Sequence, residues 1–313
     1  MVLSLDGIRM KATLHVALAA ALCSWACDRL PGGQPKQEQG AAGDAGRSEV
    51  RALIDSGQPD AALSRLADAS GPDALYLKGL AWAKKAEASP AVPGGMNPEQ
   101  MEALKALEAA IAAKPEFAVA QLALAELLAP LSKERFAPPP PGRKRPAKPA
   151  SPESPPPGAE VDVSPERVIG AYRAAAQADK ASLEPIERLV AFASEMQRFD
   201  DAEWAFRERL ARQKEKAEPH VAFGDFLAGV RGDRARAIEQ YQLGLVWSPN
   251  EPTIKERIAE IYIAIGDEHL EKRAYASAEA AYADAQKWVP PGSSFSALKV
   301  KDALARLRAM RAR

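Results

Sequence analysis

Acid–base and metal chemistry need imidazoles, thiols and carboxylates held close together, and this chain has few of the first two. Of its three histidines, His220 and His269 lie in the body of the chain, well separated, with no cysteine beside either. No His-x-x-x-His pair, Gly-x-Ser-x-Gly elbow or phosphate-cradling Gly-Lys-Ser/Thr loop occurs. Pro93-Gly94-Gly95 reads as a turn, because it lacks the lysine of a phosphate loop. Carboxylates such as Glu256, Glu260, Asp267 and Glu268 are abundant. An acid–base pair among them needs an enclosed cleft to shift a pKa; on exposed helices they are solvated or paired with nearby Lys and Arg. The expectation is a protein without catalytic residues, metal, cofactor or small-molecule substrate.

Composition narrows the class further. Forty-two basic residues balance forty-two acidic ones, so there is no global field to attract nucleic acid or an anionic membrane. Alanine is used heavily, aromatics make up only 6%, and the alternation of a half-buried strand is hard to find. The chain reads as all-α.

Residues 259–290 show how the helices are paired. Large and small side chains alternate there at helical spacing: Tyr262, Ile265, Gly266 and His269, then Tyr275, Ala278, Tyr282 and Ala285. Two helices fit, with a tight turn near 272–275. Gly266, Ala278 and Ala285 mark the close approach, His269 falls at a packing position, and Pro290 ends the second helix. This stretch resembles a tetratricopeptide repeat, a helix–turn–helix unit of about 34 residues.

Shorter or interrupted copies precede it. Val50, Leu53 and Ile54, then Ala62 and Leu66, form a first short unit. A second runs over 72–115, broken by a turn-rich insertion and restarted by Asn97-Pro98-Glu99, a cap followed by proline in the first turn. The third starts at Phe117 and is expected to stop at Pro130. After it, residues 137–158 carry ten of the twenty-six prolines, and the second helix resumes at Ser164-Pro165-Glu166. Units over 183–214 and 218–249 lead into 259–290, and a final helix carries Val300, Ala303, Leu304, Leu307 and Met310 on one side. Such arrays need a terminal cap. The expected fold is an all-α, TPR-like solenoid of about six repeats with a C-terminal capping helix and a long Pro-rich insertion. Its divisions are 1–26 (signal), 27–47 (tether without regular structure), 48–131 (repeats), 132–163 (disordered insertion), 164–292 (repeats) and 293–313 (cap).

In the family that this chain resembles, the first helices of successive repeats line a concave groove that holds an extended peptide or a partner helix. By register the resemblance assigns to that face Tyr76, Leu80, Leu122, Glu126, Glu187, Ala191, Ala222, Phe226, Glu260, Ile263 and Asp267. The face reads as apolar at one end and acidic towards the other, and it lacks the lysine/asparagine clamp of chaperone-binding members.

The N-terminus carries a different message. Met10-Lys11 precedes an apolar run from Leu14 to Leu22, followed by Cys23-Ser24-Trp25-Ala26-Cys27. A basic start, a short apolar run and a small-residue exit describe a secretory signal, too short to span as a stable helix. The start is Met1 or Met10, and Asp6 and Arg9 add nothing that a signal needs. The segment also resembles a bacterial lipoprotein signal, whose cysteine after the cleaved bond receives the lipid. Cys27, preceded by Ala26, fits that role better than Cys23 behind the bulky Leu22, although Ser24 and Trp25 depart from the pattern. The resemblance implies export and a lipid anchor facing the periplasm, with a soluble periplasmic form after simple cleavage near Ala26 as the alternative. The function expected is a non-catalytic scaffold for an envelope protein. The alternatives are a self-associating helical protein and an enzyme that uses the repeats as a substrate platform.

Overall fold

The computed structural model describes residues 39–138 and 161–312, and the two cysteines, the apolar run and most of the Pro-rich segment lie outside them. The chain divides into Met1–Asp44 and Ala45–Arg313. Of the first unit only the opening turns of one helix are described, and every later helix belongs to the second.

Proline writes many of the helix starts. It stands in the first turn of α2 (Pro59–Arg65), α3 (Pro72–Ala86), α4 (Pro98–Ala113), α6 (Pro165–Ala178), α7 (Glu184–Glu195) and α11 (Pro252–Glu271). At that position its missing N–H costs nothing, since no intrahelical acceptor exists there. Asn97 caps α4 in a reciprocal box. Its side chain accepts from the Gln100 N–H at 2.8 Å, and its own N–H donates to Gln100 Oε1 at 2.9 Å. Ser164, Asp233 and Ser293 cap α6, α10 (Arg234–Trp247) and α13 (Ser294–Arg311). The remaining helices are α1 (Gln39–Asp55), α5 (Ala118–Phe136), α8 (Phe199–Arg212), α9 (Ala217–Phe226) and α12 (Tyr275–Trp288).

The turns between paired helices are as regular as the starts. After α1, α7 and α11 the chain passes through a left-handed residue, Gly57, Gln197 or Arg273. The next N–H then reaches back five residues: Gln58 to the Leu53 carbonyl, Arg198 to Ala193 and Ala274 to His269, each at 2.8 Å. This is the Schellman stop, and it folds the next helix back on the last. After α9 the same stop is widened. A single π turn, Leu227–Arg231, inserts before left-handed Gly232, and Asp233 reaches six residues back to Leu227. The described residues thus form six helix hairpins, α1/α2 to α11/α12, with α13 packed on the last. No strand occurs among them.

Within a hairpin, contact is closest at glycine. A Cβ on Gly266 would sit 2.3 Å from the ring of Tyr282, one on Gly224 2.6 Å from Tyr241, and one on Gly79 2.7 Å from Leu107. Gly266 therefore lies inside a continuing helix. In the last two hairpins the residue after the glycine completes a repeated tie. Tyr241 donates to Asp225 and Tyr282 to Asp267, each at 2.7 Å, and each aspartate also receives an arginine from the helix that follows, Arg257 or Arg306.

Three expectations from sequence need correction. Pro130 does not stop α5, which continues to Phe136 with Leu131 and Ser132 buried. A proline inside a helix costs about 3 kcal/mol, and here burial beyond the break offsets it. The segment expected to be disordered from 132 is thus helical at its start, and at its end Val163 is 1% exposed. Helix α1 begins at Gln39, inside the stretch expected to be a tether without regular structure. The turn-rich insertion in hairpin 2 is packed against the array. Met96 is fully buried, and the Arg135 guanidinium donates to the Gly94 carbonyl at 3.0 Å and to Val161 at 3.5 Å. Arg135 so joins the end of α5, the insertion and the segment that leads into α6.

Candidate functional site

The first helices of hairpins two to six, α3, α5, α7, α9 and α11, carry the residues expected to face a partner. Tyr76 is half-buried at the start of α3, edge-on to Phe117 with ring centroids 5.4 Å apart, and its hydroxyl accepts from Arg51 at 3.3 Å. Both rings line a cavity of about 510 Å³ with Arg47, Asp73 and exposed Val119. Leu80 packs on the core of the first hairpins, and Leu122 and Ala222 on the main core, each half-buried. Glu126, Glu187, Ala191 and Glu260 are exposed. Asp267 and Ile263 line a cavity of about 560 Å³ with Glu260, Lys299, Asp302 and Arg306. A second cavity, of about 440 Å³, shares Glu260 and Ala264 with it and runs on to Arg257, Arg234 and Asp225.

Phe226 does not belong to this surface. It is 5% exposed, and its ring lies 4.9 Å from Phe206 and 6.4 Å from Phe223, so it fills the space between α8 and α9. A residue near the end of α9, just before the π turn, is hard to phase from a regular 3.6-residue period.

The acidic end expected from sequence is neutralised by cations that register alone did not bring in. Glu126 pairs with Arg188 at 3.3 Å, Glu187 with Arg209 at 3.5 Å, Asp267 with Arg306 at 3.0 Å and Glu260 with Lys299. Arg188, Lys299 and Arg306 each stand on the next first helix or on α13, so the pairs bridge successive units. Although Glu126 is exposed overall, partial desolvation of its carboxyl by the neighbouring helices raises its pKa, against the pull of Arg188. The signal available in the sequence was a basic residue on each following helix, readable only once the stacking register is known. What the face offers is a row of bridged charges over small and apolar residues, not a field of one sign.

His220 is 8% exposed with Nδ1 3.0 Å from Gln240 Oε1, and His269 is half-buried near the end of α11. Among the described residues no group of three His, Cys, Asp or Glu could hold a metal ion, and no helix is long and apolar enough to cross a membrane.

No family model and no curated protein matches this sequence. Among solved structures it is similar to MamA of Desulfovibrio magneticus RS-1, at 13% identity over 68% of this chain and 98% of that one, with a TM-score of 0.39. MamA of strain AMB-1 is similar at 14% identity over 67% of this chain and 94% of that one, with a TM-score of 0.40. A thermophilic TPR protein of Thermus thermophilus is similar at 17% identity over 70% and 97%, with a TM-score of 0.36. The chain's own hairpins, their Schellman turns and their glycine–tyrosine contacts make the fold a TPR-like helical solenoid.

Proposed function

We propose that this protein is a non-catalytic scaffold that holds a peptide or a helix of a protein partner against the first-helix face. One observation carries the reading: the two cavities that meet at Glu260 and Ala264 make a trough along α9, α11 and α13, walled by bridged ion pairs over an apolar floor. Such a trough accepts a helix or strand of mixed charge, with affinity set by a few apolar anchors rather than by net charge. We further propose that residues 1–26 direct export, that Cys27 is lipidated, and that the array therefore works at a membrane facing the periplasm. Several acyl chains at about 0.8 kcal/mol per buried methylene anchor stably. Metabolic labelling with a palmitate analogue tests the anchor: wild type labels and Cys27→Ala does not.

Self-association is a second reading, favoured by Leu298 and Met310, which α13 leaves 54% and 38% exposed. Light scattering separates the two. A concentration-dependent dimer abolished by Leu298→Glu supports self-association, and a monomer across the concentration range supports the scaffold.

A further inference from the structure

Away from the first-helix face, the turns α6–α7 and α8–α9 enclose a cavity of about 610 Å³ lined by Lys180, Ala181, Leu183, Arg212, Gln213, Lys214, Glu215 and Lys216. Four cations thus stand there with one carboxylate. The contrast with the rest of the array is sharp, because the arginines of the first-helix face are each matched by an acid. Among the described residues the side chains of Lys180, Lys214 and Lys216 make neither an ion pair nor a hydrogen bond, and all three residues are exposed.

The back wall is rigid. Arg212 is fixed by the carbonyls of Asp179 at 3.1 Å and Ser182 at 2.7 Å, by that of Ala176, and by Glu208 at 3.0 Å. Its donors are consumed in closing the end of α6 and its charge is met by Glu208, so Arg212 fixes the wall and the three lysines supply the unmatched positive charge. The Gln213 side-chain oxygen is buried with no hydrogen-bond partner. Turning the carboxamide over, an assignment that hydrogen bonding alone decides, presents its NH2 to an incoming acceptor instead. Half-buried Leu183 and exposed Ala181 supply an apolar floor between the lysines.

We propose that this turn-side cavity docks an acidic peptide segment, as a second contact beside the first-helix face. This assignment rests on the scaffold reading for its biological use but not for its chemistry. The floor takes an aliphatic side chain, and the lysines take carboxylates on either side of it. A membrane surface fits less well, since none of the exposed large apolar residues lies in the lining. The recess is also of the size that holds a few side chains rather than a flat sheet of headgroups.

Fluorescence anisotropy of a labelled peptide of alternating Glu and Leu, added to the purified protein, tests this. Binding is expected to weaken with salt. It should also fall roughly tenfold in Lys180→Gln/Lys214→Gln/Lys216→Gln, as three exposed ion pairs of modest strength predict, with helicity and melting unchanged. A charge-reversed variant, Lys to Glu at the same positions, should bind the matching Lys/Leu peptide instead. Equal binding of both peptides by wild type, or unchanged affinity in the Gln variant, overturns the proposal. So does displacement of the acidic peptide by inorganic phosphate or by phosphatidylglycerol vesicles at equal charge, which would assign the cavity to phosphate chemistry. The first-helix variant Ala191→Arg/Glu260→Arg should leave this binding intact, so failure here is separable from failure of the scaffold reading.

Discussion

Replacing Gly266 by alanine adds one carbon at the tightest of the glycine contacts among the described residues. In an exposed helix interior the change stabilises by about 1 kcal/mol, because alanine loses less backbone freedom. Here the new Cβ meets Tyr282 Cε1 at 2.3 Å and Cδ1 at 2.5 Å. To restore an ordinary 3.4 Å contact the ring has to recede by about 1 Å. It has nowhere to go: Tyr282 is fully buried, and its hydroxyl is held 2.7 Å from Asp267, the neighbour of Gly266 on the same helix. Asp267 is in turn held by Arg306 on α13 at 3.0 Å. Overpacking a locked site costs about 1–3 kcal/mol, and the lock places this one near the top, for a net loss of about 2 kcal/mol. Gly170 in α6 is the control. Nothing lies within 4 Å of its Cβ position, so Gly170→Ala should stabilise by about 0.5–1 kcal/mol. Both are read by urea unfolding followed by far-ultraviolet circular dichroism. Gly266→Ala as stable as Gly170→Ala would refute the close-packing argument. In a Tyr282→Ala background the penalty of Gly266→Ala should vanish, since the double-mutant cycle removes the clash.

Alkaline pH should loosen the same contacts. Burial, followed by the carboxylate of Glu126 or Glu260, pushes Tyr172 and Tyr241 up to about 12, and burial with the bond to Asp267 raises Tyr282 as well. Unfolded tyrosines ionise near pH 10, so between about pH 10 and 12 the unfolded chain binds fewer protons and stability falls as pH rises, by roughly 2–3 kcal/mol per tyrosine. Tyrosinate absorbance should therefore appear together with loss of helicity; these tyrosines titrating at pH 10 in a helical protein would contradict it. Arg273 sits at φ 56° in the left-handed stop of α11, where glycine is unstrained, so Arg273→Gly should raise stability by about 0.5–1 kcal/mol in thermal melts. Arg135→Ala removes the donor shared by Gly94 and Val161 and should cost about 1–3 kcal/mol by the same measure, with no change in helix content.

The helices were legible because proline and capping residues announce their starts, and because Gly266 with Tyr282 displays the hairpin pattern directly. The α5 end was not legible, because Pro130 is a strong local breaker and what overrides it is burial against residues distant in sequence, such as Val163 and Met96. Arg135 gave no signal, since its acceptors are backbone carbonyls. On the candidate face, Glu126, Ala191 and Glu260 are exposed. The neutralising partners did not follow from register, because pairing between Glu187 and Arg209 or Asp267 and Arg306 depends on how neighbouring helices stack. Phe226 shows the limit of register itself, at the end of α9 beside the π turn.

The scaffold reading turns on whether the first-helix face binds a protein. Affinity capture from envelope extract with the wild-type protein, beside Ala191→Arg/Glu260→Arg of matched melting temperature, tests it most directly. The account predicts a discrete set of proteins retained by wild type and lost from the variant. The same set on both, or no enrichment over an unrelated helical solenoid, would contradict it.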